Sequence, residues 1–134
     1  MTDQTKIKCF FYGTIRSGYW NSHRITNTSK LIAPAVTEEK FRLFIQRGNV
    51  PCAVPTPDGY PLVGEVWELS DADAQWVQWL ERGYQFKTTT VTAGSQRINA
   101  GIYFCEQAED SPYYVSDQRE EHSGDFSNAV KPKS

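Results

Sequence analysis

The first hydrophobic block, "IKCFFY" at Ile7 to Tyr12, sets Ile7, Cys9 and Phe11 against Lys8, Phe10 and Tyr12. Aromatic residues fall on both sides, so the pattern predicts a strand covered on most of both faces and lying centrally in a sheet. A polar connection, "SGYWNSHRITNTSK", leads to "FRLFIQ" (Phe41 to Gln46), a second strand closed by Arg47-Gly48-Asn49. Two prolines and an Asp-Gly pair make "PTPDGY" a turn, and "PLVGEVWEL" (Pro61 to Leu69) reads as a strand of mixed alternation. Gly64 inside it marks a bulge or a close approach to the backbone.

The period changes to that of a helix in "DADAQWVQWLE", Asp71 to Glu81, where Trp76, Val77 and Leu80 form a short apolar stripe that should pack on the sheet. Ser70 is placed to cap it, with Asp73 as the capping-box partner and Leu69 and Ala74 as the hydrophobic staple; Gly83 supplies the stop. Gln85 to Thr92 and Ile98 to Gln107 read as two strands of a hairpin around "AGSQR". From Ala108 the chain turns polar and acidic, broken by "PYYV", and "NAVKPKS" reads as a solvated tail. Strands dominate beside one main helix. The expected class is α+β, a small mixed, partly closed β-barrel forming one domain over 1–126, with 127–134 as a flexible tail.

Composition narrows the function classes. A chain of 134 residues suits one domain, and 39% hydrophobic with 22% charged residues at net charge −2 is a soluble globular profile. No apolar run approaches the ~18 residues of a membrane span, so no membrane partner is expected. Lysine and arginine are scattered and outnumbered, which argues against nucleic acid. "MTDQTKIK" lacks the apolar core of a secretion signal, so a cytoplasmic location is expected. Cys9, Cys52 and Cys105 are odd in number, far apart and without CxxC spacing; three reduced, mostly buried thiols are expected in place of a zinc site or a disulfide framework. Oligomeric state is not legible.

Three features carry candidate chemistry. In "YGTIRSG", Gly13 ends the first strand and Gly18 follows, so the backbone between them can turn several N–H groups toward one point, a nest suited to a carboxylate or phosphate. The same glycines also suit a plain strand-ending turn, and neither a Walker loop nor a dinucleotide fingerprint is present. Glu81 lies at the margin of the buried stripe in the final helical turn, where desolvation and the helix dipole raise a carboxyl pKa toward general-base range. A surface glutamate in free solvent is the competing reading. The third feature is the set of hydroxyl-bearing aromatics, above all Tyr103 on the late strand, which needs a hydrogen-bond partner if buried.

The segment "FFYGTIRSGYWNSH" resembles the signature of the gamma-glutamylcyclotransferase-like family, in particular its small gamma-glutamylamine cyclotransferase branch. "VPCAVPTPDGYPLVGEVWEL", "WLERGYQFKTTTVT", "AGIYFCE" and "SGDF" resemble its later segments in the expected order. The resemblance implies that N–H groups of Gly13, Thr14 and Ile15 hold the carboxylate of a gamma-glutamyl substrate, with Tyr12 and Arg16 in the same substrate-binding motif. It implies further that Glu81 is the catalytic acid/base, that 5-oxoproline forms while an amine or amino acid departs, and that no cofactor is needed. Tyr103 and a loop amide are candidates for the oxyanion donor. The chain departs from the family around Glu81, lacking the neighbouring Asp and Gly and carrying Tyr84 and then Phe86-Lys87 where Tyr-x-Arg is common, so that charge is kept without the arginine's planar fork. Two alternatives therefore stand beside this enzyme: a non-catalytic binder of a small anion, and a tailoring enzyme that uses Glu81 for proton transfer on another small molecule.

Overall fold

A computed structural model describes residues 7–19, 21–46, 50–105 and 119–131. Along the chain come β1 (Ile7–Phe11), β2 (Lys30–Thr37), β3 (Phe41–Gln46), β4 (Val50–Pro55), β5 (Val63–Leu69), α1 (Asp71–Leu80), β6 (Gln85–Ala93), β7 (Gln96–Phe104) and β8 (Arg119–Glu120). Five strands close a mixed barrel in the order β1-β5-β2-β6-β7, and β4-β3-β8 form a second, three-stranded sheet. The expected class, a small mixed barrel with one main helix, is the observed one.

β1 owes its central place to its two apolar faces. Phe10 and Tyr12 enter a core cluster with Leu43, Val66 and Ile102, whereas Cys9 and Phe11 join Trp67, Leu69 and the helical Val77. One face thus fills the barrel interior and the other seats α1. β1 runs antiparallel to β5 from Ile7↔Leu69 to Phe11↔Glu65 and closes the barrel in parallel with β7 at Cys9↔Gly101. Gly64 marks a close approach: a Cβ there would run into the Phe11 carbonyl and the Phe10 ring. β6 and β7 form the expected hairpin, ending at Ala93↔Gln96 across a turn in which Gly94 takes a φ of 63°.

At the start of α1 the Ser70 side chain accepts from the Asp73 N–H at 3.2 Å. The reciprocal half of the box is relayed. Ser29 Oγ accepts from the Ser70 N–H at 3.0 Å and donates, as Thr28 does, to the Asp73 carboxylate, which is fully buried with Arg24 Nη1 at 3.6 Å from it. Asp73 thereby pins the segment after β1 to the helix. Asp73→Ala leaves those donors without their buried acceptor and is expected to lower unfolding stability by about 2 kcal/mol, read from the urea midpoint.

Three expectations need correction. Cys52 and Cys105 form a disulfide across a sequence separation of 53, because β4 lies beside the residue following β7: their Cα atoms are 5.9 Å apart, and the Cys105 N–H donates to the Ala53 carbonyl at 2.8 Å. Only Cys9 remains a buried free thiol. The 127–134 segment is not a tail from its first residue. A 3-10 turn spans Phe126–Asn128, Val130 is buried, and the Tyr19 hydroxyl donates to the Val130 carbonyl at 2.6 Å. Finally, β2 and β4 are strands where no strand is expected. Residues 106–118, which include "PYYV" and the predicted end of the late strand, lie outside the described residues, as do Arg47-Gly48-Asn49 and Trp20. No helix among the described residues is long and apolar enough to cross a membrane.

Candidate functional site

The end of β1 runs into a bend that is tied down on three sides. The Arg16 N–H donates to the Gly13 carbonyl at 3.1 Å and the Asn21 N–H to the Thr14 carbonyl at 3.0 Å, while Asn21 Nδ2 reaches Thr14 Oγ1 at 2.6 Å. Gly18 takes the positive φ of 90° that the turn requires. Outside the bend, the Ser17 N–H donates to Glu65 Oε1 at 2.8 Å. These bonds occupy the carbonyls of Gly13 and Thr14; the N–H groups of Gly13, Thr14 and Ile15 have no acceptor among the described residues. Successive unpaired N–H groups of this kind bind anions.

The bend forms one wall of a cavity of about 260 Å³. Tyr12, Gly13, Thr14, Ile15 and Asn21 line it from one side, Leu80 and Glu81 from the end of the helix, Val50 and Pro51 from the start of β4, and Tyr84 and Tyr103 complete it. A Cβ at Gly13 would collide with the Pro51 ring, so the cavity keeps its width only with glycine there.

Glu81 is the C-cap residue of α1, one position past its last helical residue; its N–H bonds to the Val77 carbonyl at 2.8 Å, and Gly83 (φ 100°) turns the chain away. Its carboxyl has no hydrogen-bond or ion-pair partner among the described residues, and desolvation raises its pKa from 4.5 to about 7. The side chain is partly accessible, through the concavities it borders, so apolar neighbours dominate its surroundings although its surface is not sealed. A carboxyl with that pKa exchanges protons near neutrality in either direction.

The tyrosines divide by what their hydroxyls do. Tyr12 donates to the Tyr103 carbonyl at 2.8 Å and is held neutral, its pKa driven well up by burial and then by Tyr84 and Glu81. Tyr84 donates to the Pro51 carbonyl. The Tyr103 hydroxyl has no partner among the described residues, and its pKa is pushed up to about 12 by burial, with Cys9 and Glu81 adding. It is a standing neutral donor beside the carboxyl. Burial first and Glu81 second also push the Cys9 thiol up to about 12, so no thiolate is offered.

Arg16 does not line the cavity. Its Nη1 pairs with Asp125 Oδ1 at 2.9 Å, clasping the bend to the closing Gly-Asp-Phe segment. Hydrogen bonds from Ser127 and Arg16 outweigh desolvation and hold Asp125 below its usual value. Tyr12, Gly13, Thr14, Ile15, Tyr103 and Glu81 come together; Arg16 anchors from outside. Val50, Pro51 and Leu80 belong to the lining without having been candidates, and only Asn21, in the motif itself, carried a local signal. Among the described residues no three His, Cys, Asp or Glu side chains group as metal ligands would.

The family described as "Gamma-glutamyl cyclotransferase, AIG2-like" matches residues 9–128. A protein of Methanocaldococcus jannaschii named "Putative gamma-glutamylcyclotransferase MJ1514" is 27% identical over 99 residues, 71% of this chain and 81% of its own length. An AIG2-like protein from Mus musculus has a crystal structure similar at a TM-score of 0.69 and 20% identity, covering 83% of each chain, a likeness of fold. YkqA from Bacillus subtilis is similar at a TM-score of 0.72 and 25% identity over 92% of this chain and 40% of its own. With a match that runs from inside β1 to the turn after Phe126, over a barrel of shared architecture, this chain belongs to the gamma-glutamyl cyclotransferase, AIG2-like family.

Proposed function

We propose that the protein cyclises a gamma-glutamyl group to 5-oxoproline and releases the amine or amino acid it was joined to. One observation carries the reading: an unpartnered carboxyl with a pKa of about 7 and three unpaired loop N–H groups border the same small cavity. The loop amides of Gly13, Thr14 and Ile15 take the substrate's α-carboxylate. Glu81 accepts a proton from the α-amino group, the freed nitrogen forms a bond to the γ-carbonyl carbon, and the bond from that carbon to the leaving nitrogen breaks. The proton on Glu81 passes to the departing nitrogen, so the enzyme returns to its starting state.

The main contribution of such a site is conformational. An extended glutamyl chain must curl until amine and carbonyl meet, and holding reactants in that geometry is worth about 7–11 kcal/mol at best. Anchoring the carboxylate at one end and the amine at Glu81 does this. The free Tyr103 hydroxyl is the donor for the developing oxyanion, a role typically worth ~2.7–4 kcal/mol. Incubation of the folded protein with a panel of gamma-glutamyl amines and amino acids, followed by mass spectrometry, tests the reading: 5-oxoproline is expected, and its absence with every compound removes it.

A further inference from the structure

Glu81 stands on a partition. On one side is the 260 Å³ cavity; on the other a wider, open depression of about 670 Å³ lies between α1 and the neighbouring barrel strands. Glu81, Tyr84 and Tyr103 border both. Asp71, Gln75, Gln78 and Arg82 contribute polar groups to its lining, but the larger part of it is apolar. Ala74 and Val77 line it from the helix, and Ile7 and Phe86, which are 46% and 51% exposed, line it from the barrel. Phe86 keeps its position because β7 has no side chain beneath it: a Cβ at Gly101 would collide with the ring. The ring instead lies over that strand and meets Tyr103 at 4.8 Å between centroids. Scattered exposed apolar residues are ordinary, but these two flank a concavity that shares its border with a free carboxyl.

The chemistry decides what the depression receives. A nitrogen that takes its proton from Glu81 stands within hydrogen-bond reach of that carboxyl, about 2.6–3.2 Å. With the glutamyl group in the cavity, the substituent on that nitrogen continues past Glu81 to the far side of the partition. We infer that the depression is the subsite for this substituent, and that the preferred substrates are gamma-glutamyl conjugates of amines bearing an aromatic or extended apolar group, seated against Phe86 and Ile7. The inference rests on the cyclotransferase reading above. Apart from Glu81 itself, the charged residues on the border, Asp71 and Arg82, are opposite in sign and add no excess charge that would select a polyamine or an acidic amino acid. A short polar leaving group would leave Ile7 and Phe86 in water.

The test uses gamma-glutamyl-phenethylamide and gamma-glutamyl-ethylamide. Binding of each to the Glu81→Gln protein is read by calorimetry, and 5-oxoproline release from each by the wild-type chain gives kcat/KM. The phenethylamide is expected to bind and turn over at least about tenfold better, from burial of its ring. In Phe86→Ala that ratio should fall to within about threefold; Ile7→Ser, read by the same ratio, replaces it if Phe86→Ala fails to fold. Equal affinity with turnover of both compounds overturns the subsite and leaves the cyclotransferase reading standing. A binding preference without 5-oxoproline from either compound does the reverse. A preference undiminished in both variants overturns the subsite, and no binding with no turnover overturns both.

Discussion

Glu81→Gln is expected to lower turnover of a gamma-glutamyl substrate by about 10²–10⁴-fold, the usual contribution of a positioned acid/base, while substrate still binds. The amide keeps the shape and the hydrogen-bonding capacity of the side chain but cannot take the α-amino proton. Because the carboxyl titrates at about 7 and acts first as a base, wild-type kcat/KM should climb as pH rises through that value. The limb should vanish in Glu81→Gln. A variant that keeps both the turnover and the limb moves the base elsewhere.

The same residue should weaken the fold. Its pKa in the folded chain, about 7, lies above its ordinary value of 4.5, so between the two the folded state holds a proton that the unfolded state has lost. Stability is full below the lower value, declines as pH rises through the upper one and is level beyond it. Glu81→Gln is therefore expected to be more stable than wild type at pH values above ~8, by on the order of 1–2 kcal/mol once the carboxyl's partial solvent access is discounted. Urea unfolding of both proteins across this range gives the difference. Equal stabilities throughout would mean that the carboxyl is well solvated.

Gly13→Ala carries the second large effect. The added methyl meets the Pro51 ring across the cavity, so either the bend or the start of β4 must give way. A displacement of about 1 Å at a positioning element costs on the order of 10²-fold in rate, and kcat/KM is expected to fall by about that much. Weakened binding of 5-oxoproline by calorimetry, beside a near-normal unfolding transition, would separate this from general damage. Unchanged affinity would show that the carboxylate is held elsewhere than at the Gly13-Thr14-Ile15 amides.

Where pattern and local chemistry agree, the chain is legible. Phe41–Gln46 is the strand its alternation predicts, the helix starts at Ser70 and stops before Gly83 as its caps direct, and the double apolar coat of β1 reports its central place. β2 and β4 escape notice because proline marks them as breaks. Pro34 pairs with Glu65 in mid-strand on an exposed position, and Pro51 and Pro55 sit toward the two ends of β4, where a missing N–H costs the ladder least. The candidate site divides along the same line. The glycine bend and Glu81 show themselves in short motifs, aided by the family resemblance, whereas the Val50-Pro51 wall arrives on the β3–β4 hairpin and shows only as the start of a family-like segment, with no local sign that it lines a cavity. A cation inside an anion-binding motif suggests a ligand contact at Arg16, but Asp125, 109 positions away, claims it first. The disulfide is hidden likewise by an odd cysteine count and a separation of 53.

The clasp from Arg16 to Asp125, and the bond from Tyr19 to Val130 across 111 positions, set a timetable for biosynthesis. The glycine bend is translated 109 residues ahead of the aspartate that clasps it. A nascent chain can finish α1 and the β6–β7 hairpin while the amide-bearing bend still waits for its anchors. A stop codon just before Asp125 would spare every residue that lines the cavity, yet it would remove the clasp from Asp125 and the bond to Val130 and leave the bend to its own turn bonds and Glu65.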